Sequence, residues 1–146
     1  MEITIRLAEE KDISSIAAIE KDCFTTPESE ASILDVIENP VYDAFVAECE
    51  GGVVGHTITM TTCGDMDILS VAVKPSCRRF GIGKKLMDNI FEVARNGDVC
   101  DIFLEVRKSN VPAISLYEKT GFVKIGERKN FYDLPREDAV LMKRSI

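Results

Sequence analysis

The stretch from Asp67 to Phe91 constrains the fold most, because a strand-like segment runs into a helix-like segment across two glycines. Residues 67–73 are mostly β-branched and aliphatic, as in a strand covered on both faces, and Pro75 ends the pattern. After the glycines, apolar residues recur at steps of three and four, which predicts one apolar helix face. These residues are Ile82, Leu86, Ile90, Phe91 and Ala94. The chain is therefore predicted to have a strand, a turn and an amphipathic helix at its centre.

The predicted turn, residues 78–84, has the features of an anion site. Gly81 and Gly83 carry no side chain, so main-chain N–H groups at the helix start can approach a ligand closely. These donors and the positive end of the helix dipole favour a phosphate group. Four cations flank the glycines: Arg78, Arg79, Lys84 and Lys85. The turn therefore predicts a ligand that contains phosphate.

Two common phosphate-binding loops do not fit this turn. A Walker A loop has about four residues between its first glycine and Gly-Lys-Ser/Thr, whereas here Ile82 alone separates the glycines and Lys85 replaces the hydroxyl. The dinucleotide fingerprint requires a third glycine where Leu86 stands. Arg-x-x-Gly-x-Gly remains, and a turn whose glycines are purely structural stays open as the alternative.

The motif resembles a known family. Residues 71–75 read Val-Ala-Val-Lys-Pro and residues 78–83 read Arg-Arg-Phe-Gly-Ile-Gly, which together resemble the coenzyme A signature of the GNAT superfamily of acyl-CoA N-acyltransferases. The resemblance implies acetyl-CoA as the acetyl donor. The residues it assigns to acetyl-CoA are Val71, Ala72, Val73, Arg79, Phe80, Gly81, Ile82, Gly83, Lys84 and Asn110.

Composition narrows the class of protein. The 146 residues fit one domain, 1–146, and the hydrophobic (45%) and charged (29%) fractions are those of a soluble globular protein. A net charge of −7 argues against nucleic acid as a direct partner. The five cysteines form no C-x-x-C pair, there is one histidine, and no apolar run has membrane-spanning or signal-peptide character. We expect a cytoplasmic protein with reduced thiols, no metal site and no membrane partner.

The order of elements predicts an α/β (α+β) fold. Strands are predicted at 2–7, 44–48, 53–60, 67–73, 101–107, 122–128 and 139–143, and helices from Asp12 as the cap, at 29–38, from Ile82 and at 112–119. A meander followed by strand-helix-strand units gives a mixed, mostly antiparallel sheet of about seven strands with about four helices on both faces. The GNAT fold has the same order of elements.

Glu105 interrupts an otherwise apolar strand. Alternation places Leu104 and Val106 on one face and Glu105 on the other. If Glu105 faces a cleft, partial desolvation would raise its pKa and suit it as a general base for an ammonium substrate. An ion pair with Arg107 at the sheet surface is the structural alternative.

Acyl transfer from a thioester to an amine also requires donors to the carbonyl oxygen and an acid for the leaving thiolate. Main-chain N–H groups near Val71 and Val73 are candidates for the donors to the cofactor arm and its carbonyl. Tyr117 is the candidate acid. From spacing alone, however, a tyrosine beside Ala113 and Ile114 on a predicted helix is more typical of a core residue.

The C-terminal half resembles one GNAT subgroup. Residues 104–110 read Leu-Glu-Val-Arg-Lys-Ser-Asn, residues 116–118 read Leu-Tyr-Glu, and Arg128-x-x-x-Tyr132 follows. These motifs resemble the enzymes that acetylate the N-terminal alanine of a small-subunit ribosomal protein. The resemblance implies that Glu105 is the proton acceptor, that Tyr117 is the proton donor, and that the acceptor partner is a protein N-terminus.

The N-terminal third departs from that subgroup. Where the subgroup tends to have an aromatic Pro-Trp-Ser segment, residues 24–29 read Phe-Thr-Thr-Pro-Glu-Ser and the chain has no tryptophan. The family places its substrate between this segment and the loop joining the last two strands, predicted here as 130–137. Phe24 and Tyr132 are therefore candidate walls of an amine slot, with ordinary packing as the alternative.

Two other functions fit the same features. One is a GNAT enzyme for a small amine or a lysine side chain. The other is a regulatory module that binds coenzyme A without turnover. The presence of both Glu105 and Tyr117 favours an enzyme, and an α-amine suits a modest base because its pKa of about 8 lies below the ~10.4 of lysine.

Overall fold

One seven-stranded sheet organises the computed structural model, which describes residues 2–146. The strands are β1 (Thr4–Leu7), β2 (Tyr42–Cys49), β3 (Gly52–Thr62), β4 (Asp65–Val73), β5 (Asp101–Arg107), β6 (Val123–Asp133) and β7 (Arg136–Ser145). The helices are α1 (Ile13–Cys23), α2 (Glu30–Glu38), α3 (Ile82–Asn96) and α4 (Val111–Lys119), with short 3₁₀ turns at Glu10–Asp12 and Pro75–Cys77. Each strand and helix that the sequence predicts is present.

The strand order is β1-β2-β3-β4-β5-β7-β6. Neighbouring strands are antiparallel except β4 and β5, which are parallel and are connected through α3. The prediction of a mixed, mostly antiparallel sheet is therefore confirmed. The parallel pair is at the centre of the sheet, where the chain changes from a meander to strand-helix-strand units.

Helices lie on both faces of the sheet, as predicted. Val46 and Ala47 are consecutive in β2 and therefore point to opposite faces. Val46 packs with Ile16 and Ile33 of α1 and α2, whereas Ala47 packs with Ile82 and Leu86 of α3. The apolar stripe of α3 is buried, which confirms the period read from the sequence. No helix in residues 2–146 is both long and apolar enough to cross a membrane.

The pairing of β4 with β5 stops halfway along the two strands. Asp65 to Ile68 pair with Asp101 to Leu104, and the remaining parts of the strands have no pairing with each other. At this point β4 has an irregularity, because Ile68 faces Thr59 of β3 and the next paired residue is Ser70. Leu69 is thus an extra residue that bends the strand. The bend opens a gap in the middle of the sheet, and that gap contains the candidate site.

The prediction of a loop over 130–137 is wrong. β6 continues to Asp133 and β7 begins at Arg136, so a two-residue turn of Leu134 and Pro135 joins them. The irregular part lies inside β6, where the register shifts between Arg128 and Tyr132. Asn130 has a φ of 52° there, and its N–H donates to Asp138 Oδ1 at 2.9 Å. A bulge in a hairpin explains why turn-like residues lie within a strand.

The predicted capping role of Asp12 is also wrong in detail. Asp12 does precede α1, but its side chain makes no cap hydrogen bond to that helix. Its buried carboxylate accepts from the two terminal guanidinium nitrogens (Nη1 and Nη2) of Arg6, at 2.8 and 2.9 Å, and from the Glu9 N–H. The hydrogen bond from Arg6 lowers the pKa of Asp12. Asp12 therefore fixes the entry to α1 against β1.

Candidate active site

Two cavities, one in the gap between β4 and β5 and one beside it, share part of their lining. The turn-side cavity, about 540 Å³, lies against β4 and the start of α3. The strand-gap cavity, about 350 Å³, lies between the diverging parts of β4 and β5. Phe24, Val71, Asn110 and Tyr117 line both. A long ligand in the first cavity can therefore place a reactive group in the second.

The turn at the start of α3 has the geometry of an anion site. Gly81 precedes the helix with a φ of +76°, and Arg79 also has a positive φ of 71°. Space is open around the position that a Gly81 Cβ would occupy, so this glycine is required by its backbone conformation rather than by a neighbour. The first main-chain N–H groups of α3 lack partners within the helix and are available to an anion.

Most of the residues assigned to acetyl-CoA line the turn-side cavity, and Phe80 does not. Phe80 is 57% exposed and contributes no lining. The lining residues from that assignment are Val71, Ala72, Val73, Arg79, Gly81, Ile82, Gly83, Lys84 and Asn110. The Phe80 side chain is therefore turned away from the cavity, and only the main-chain N–H of this residue stays a candidate for the ligand.

Two of the four cations of the turn, Arg78 and Lys84, have partners within the chain. The Arg78 guanidinium donates to the Val73 carbonyl and contacts Cys23 Sγ, both at 3.3 Å. Lys84 forms an ion pair with Asp88 at 3.0 Å. Arg78 therefore fixes the end of β4 to the end of α1. Asn110 also has a structural role, because its side chain accepts from the Ala113 N–H at 3.2 Å and caps α4.

Glu105 lines the strand-gap cavity, and the ion pair with Arg107 is not present. Arg107 pairs with Glu137 at 3.3 Å instead. Leu104 and Val106 are buried on the opposite face, as predicted. The expected desolvation of Glu105 is wrong, since the residue is exposed where β5 runs beside the open gap. A third cavity, the open-face cavity of about 630 Å³, extends from Glu105 across β6 and β7.

Tyr117 is both a core residue and a cavity residue. It is 8% exposed and packs edge-on against Phe122, with ring centroids 5.8 Å apart. It also lines both the turn-side and the strand-gap cavities. Burial, with a smaller contribution from Tyr132, raises the pKa of Tyr117 to about 12. Its hydroxyl is therefore protonated near neutral pH and can act as a hydrogen-bond donor.

Phe24 and Tyr132, the candidate walls of an amine slot, both line the strand-gap cavity. Phe24 follows α1, and Tyr132 lies near the end of β6. Burial and then the negative charge of Glu105 raise the pKa of Tyr132. The cavity thus has two aromatic residues and one carboxylate in its lining.

Arg107 connects the segment after α1 that contains Phe24 to the hairpin that contains Tyr132, which the sequence did not predict. Its guanidinium donates to Thr25 Oγ1 (3.0 Å), to the Leu134 carbonyl (3.2 Å) and to the Pro135 carbonyl (2.9 Å). It also lies 4.3 Å from the centre of the Tyr132 ring. One side chain therefore joins the segment after α1 to the β6–β7 turn. No local pattern marks these contacts, because the partners are 25 to 82 residues away in the chain.

The lining of the two cavities fits a coenzyme A thioester. The start of α3 supplies donors for phosphate, and β4 beyond Ile68 has an edge without a strand partner on the β5 side. An extended amide-containing arm can use such an edge. In the described part of the chain no cluster of His, Cys, Asp or Glu is arranged to hold a metal ion.

Comparisons with known proteins agree with this geometry. The sequence model of the Acetyltransferase (GNAT) family matches residues 13–122. The [ribosomal protein bS18]-alanine N-acetyltransferase of Escherichia coli (strain K12) is 30% identical over 145 residues, covering 98% of this chain and 97% of that protein. The crystal structure of the E. coli ribosomal-protein-S18-alanine N-acetyltransferase superposes with a TM-score of 0.91 at 30% identity, covering 99% and 94% of the two chains. Ard1 from Thermoplasma volcanium gives a TM-score of 0.92 at 32% identity, covering 100% and 99%.

Proposed function

The chain belongs to the GNAT acetyltransferase family, and we propose that it transfers the acetyl group of acetyl-CoA to the N-terminal α-amine of a protein. The acceptor that we propose is the N-terminal alanine of a small-subunit ribosomal protein, which is the substrate named for the E. coli relative. One observation carries the proposal. The phosphate-type turn and the Glu105–Tyr117 pair line two cavities that meet in the gap between β4 and β5.

The donor binds along β4 and the start of α3. The diphosphate accepts hydrogen bonds from main-chain N–H groups at residues 79–84, where the helix dipole also favours negative charge. The arm of the donor runs beside Val71 to Val73, whose edge lacks a β5 partner. Main-chain N–H groups near Val71 and Val73 are the proposed donors to the thioester oxygen as it gains charge.

Glu105 acts as the base. An N-terminal ammonium enters the strand-gap cavity and gives one proton to Glu105, directly or through a water molecule. The freed amine attacks the thioester carbon, a C–N bond forms, and the C–S bond breaks with its electron pair moving to sulfur. An α-amine with a pKa of about 8 gives up its proton to a carboxylate more readily than a lysine with a pKa of about 10.4.

Tyr117 stabilises the leaving thiolate. Since burial raises the pKa of Tyr117 to about 12, the hydroxyl holds its proton and donates a hydrogen bond to sulfur as the C–S bond breaks. As the tetrahedral intermediate collapses, the Tyr117 proton passes to sulfur and the phenolate takes the second proton that the nitrogen loses, so that the amide and the free thiol form and Tyr117 is neutral again. Direct transfer in a ternary complex then requires no covalent acyl-enzyme.

The acceptor assay tests this function. Purified protein and acetyl-CoA are offered an Ala-initial peptide that contains an internal lysine, the same peptide with a blocked N-terminus, and a polyamine. We expect release of free coenzyme A with the first peptide only, and fragmentation mass spectrometry should place the acetyl group on the α-amine.

Each rival function predicts a different result in that assay. Acetyl transfer to the blocked peptide or to the polyamine would assign the protein to lysine or small-amine acetylation. Tight binding of acetyl-CoA without transfer to any of the three would assign it to a regulatory role. Glu105→Gln serves as the matched low-activity control, because it keeps the size of the side chain and removes its basicity.

A further inference from the structure

A buried polar cluster lies beside the strand-gap cavity and has no part in the chemistry proposed above. Its members are Glu20 of α1, His56 of β3 and Ser70 of β4, which are 2%, 0% and 6% exposed. A charged side chain is rarely this buried unless its hydrogen bonds are satisfied. The contacts of Glu20 therefore indicate what the cluster does.

The Glu20 carboxylate accepts hydrogen bonds from three separate segments of the chain. Oε2 accepts from His56 Nε2 at 2.8 Å and from Ser70 Oγ at 2.6 Å. Oε1 accepts from the main-chain N–H of Glu28 at 3.1 Å. Burial on its own would raise the pKa of Glu20, but these hydrogen bonds outweigh burial and leave the pKa lowered. The group is thus an ionised carboxylate that holds three donors.

One of these donors lines the strand-gap cavity, and a second belongs to a segment of which other residues line it. Ser70 lines the cavity and directly follows Leu69, the residue at which β4 bends away from its pairing with β5. Glu28 ends the short segment that starts with Phe24 and Thr25, both of which also line the cavity. Glu20 therefore connects the bend in β4 to the segment between α1 and α2.

We propose that Glu20 is a positioning residue that sets the width of the acceptor slot, an inference that rests on the proposed function. Without the carboxylate, the buried donors of His56 and Ser70 and the main-chain N–H of Glu28 lose their acceptor, and buried donors are costly to leave unpaired. His56 is especially dependent on it, because its Nδ1 has no hydrogen-bond partner in the described part of the chain. The exposed segment 24–28 is the part that can move to relieve this cost.

The loss of the Glu20 carboxylate is expected to change the KM for the peptide substrate only. Glu20→Gln keeps the size of the side chain but has one acceptor oxygen, which cannot serve both Glu28 and the Ser70–His56 pair. We expect the KM for an Ala-initial peptide to rise about tenfold, while the KM for acetyl-CoA stays within about twofold. The turn at residues 78–84 has no hydrogen bond to Glu20, so donor binding has no reason to change.

Ser70 provides two further variants that separate positioning from folding. Ser70→Ala removes one donor and leaves the carboxylate with two, so we expect a smaller rise in acceptor KM, about threefold. Ser70→Thr retains the hydroxyl and should restore the KM of the wild type. This pair also keeps the proposal testable if Glu20→Gln does not fold.

Asp12→Asn is the matched structural control. Asp12 is also a buried carboxylate, 3% exposed, with donors from two other segments, but it lines none of the three cavities. We expect it to lower the Tm without changing either KM. If Glu20→Gln behaves in the same way, or raises both KM values together, Glu20 is a stability residue and the proposal is wrong.

Hydrogen–deuterium exchange gives a readout that does not depend on activity. In Glu20→Gln, the amides of residues 24–28 should exchange faster than in the wild type, whereas those of residues 78–84 should not change. Unchanged exchange at residues 24–28 would overturn the positioning role. If the wild type acetylates no α-amine, the proposed function fails by itself, and the exchange result still decides the structural part of this inference.

Discussion

The two halves of the cleft differ in how the chain builds them. The turn-side cavity is formed largely by one stretch, residues 71–84, together with the start of α4. The strand-gap cavity is formed by five segments, around residues 23–26, 68–71, 104–110, 113–117 and 132–137. The first half presents mainly backbone donors at a helix start, whereas the second presents side chains that meet only in the folded protein. The half proposed to bind the acetyl donor, here called the donor half, is therefore built from residues close together in the sequence. The half proposed to bind the amine acceptor, here called the acceptor half, is built from residues far apart.

This difference indicates which half of the cleft determines the specificity for the amine substrate. Backbone groups at the start of a helix recognise any suitably placed diphosphate and do not depend on particular side chains. The proposed acceptor half includes Tyr132 and the contacts of Arg107, and because neither residue lines the turn-side cavity, each can change without affecting the donor turn. Variants in each half should thus change one KM and leave the other unchanged, and variants at the junction should change kcat.

The largest effect is expected for Glu105→Gln, at the junction of the halves. Loss of the base should lower kcat by about a hundredfold, with acetyl-CoA binding unchanged. The loss of rate relative to the wild type should be greatest at low pH, because more of the amine is protonated there and needs a base. Steady-state rates across the pH range give this test, and equal rates for variant and wild type at every pH would remove Glu105 as the base.

The second largest effect is expected for Tyr117→Phe, which should lower kcat by about tenfold to a hundredfold. Phenylalanine retains the packing against Phe122, so the Tm should change little. Because the pKa of Tyr117 is raised to about 12, the wild-type rate should show no falling limb from this residue up to about pH 10. Tyr42→Phe, in β2 and outside the cavities, is the control. An unchanged kcat in Tyr117→Phe would leave Tyr117 as a core residue only.

Arg107→Lys tests the acceptor half alone. Lysine lacks the planar fork that reaches Thr25 and the Leu134–Pro135 turn together. We expect the peptide KM to rise about tenfold, which corresponds to the loss of about one charge-assisted hydrogen bond.

Arg136→Lys in the same hairpin is exposed and lines no cavity, so it should behave as the wild type. The measurement is a pair of KM values for each variant. A rise in the acetyl-CoA KM of Arg107→Lys would contradict the separation of the two halves.

Gly81→Ala tests the donor half alone, and its effect should be the smallest. The φ of +76° strains any L-residue, so the turn should shift and raise the acetyl-CoA KM about threefold to tenfold. Gly51→Ala is a matched control, since Gly51 has a φ of +81° and equally open surroundings but lies between β2 and β3. Both variants should lose similar stability, and a similar acetyl-CoA KM in both would show that the turn does not bind the donor.

The sequence predicted the donor half well because its signals are local. Glycine spacing, a proline stop and a helical period lie within one stretch of 25 residues, from Asp67 to Phe91, and the structure has the predicted strand, turn and helix. The outward direction of the exposed Phe80 side chain is one detail of this turn that no local signal predicts.

The acceptor half was predicted only in outline. The resemblance to the family predicted that four residues lie near one another, and all four line the strand-gap cavity: Phe24, Glu105, Tyr117 and Tyr132. No sequence pattern marks the bend at Leu69, beside which Glu105 is exposed. The contacts of Arg107 and the Glu20 cluster join residues far apart in the chain. Long-range side-chain pairing of this kind cannot be read from periodicity.

A crystal structure with a bisubstrate, in which coenzyme A is joined through its acetyl carbon to the alanine of an Ala-initial peptide, tests the account most directly. The account predicts the diphosphate on the main-chain N–H groups of residues 79–84 and the alanine between Phe24 and Tyr132. The joined nitrogen should lie within reach of Glu105, directly or through one water molecule. A diphosphate bound elsewhere, or a Glu105 side chain directed away from the nitrogen, would contradict it.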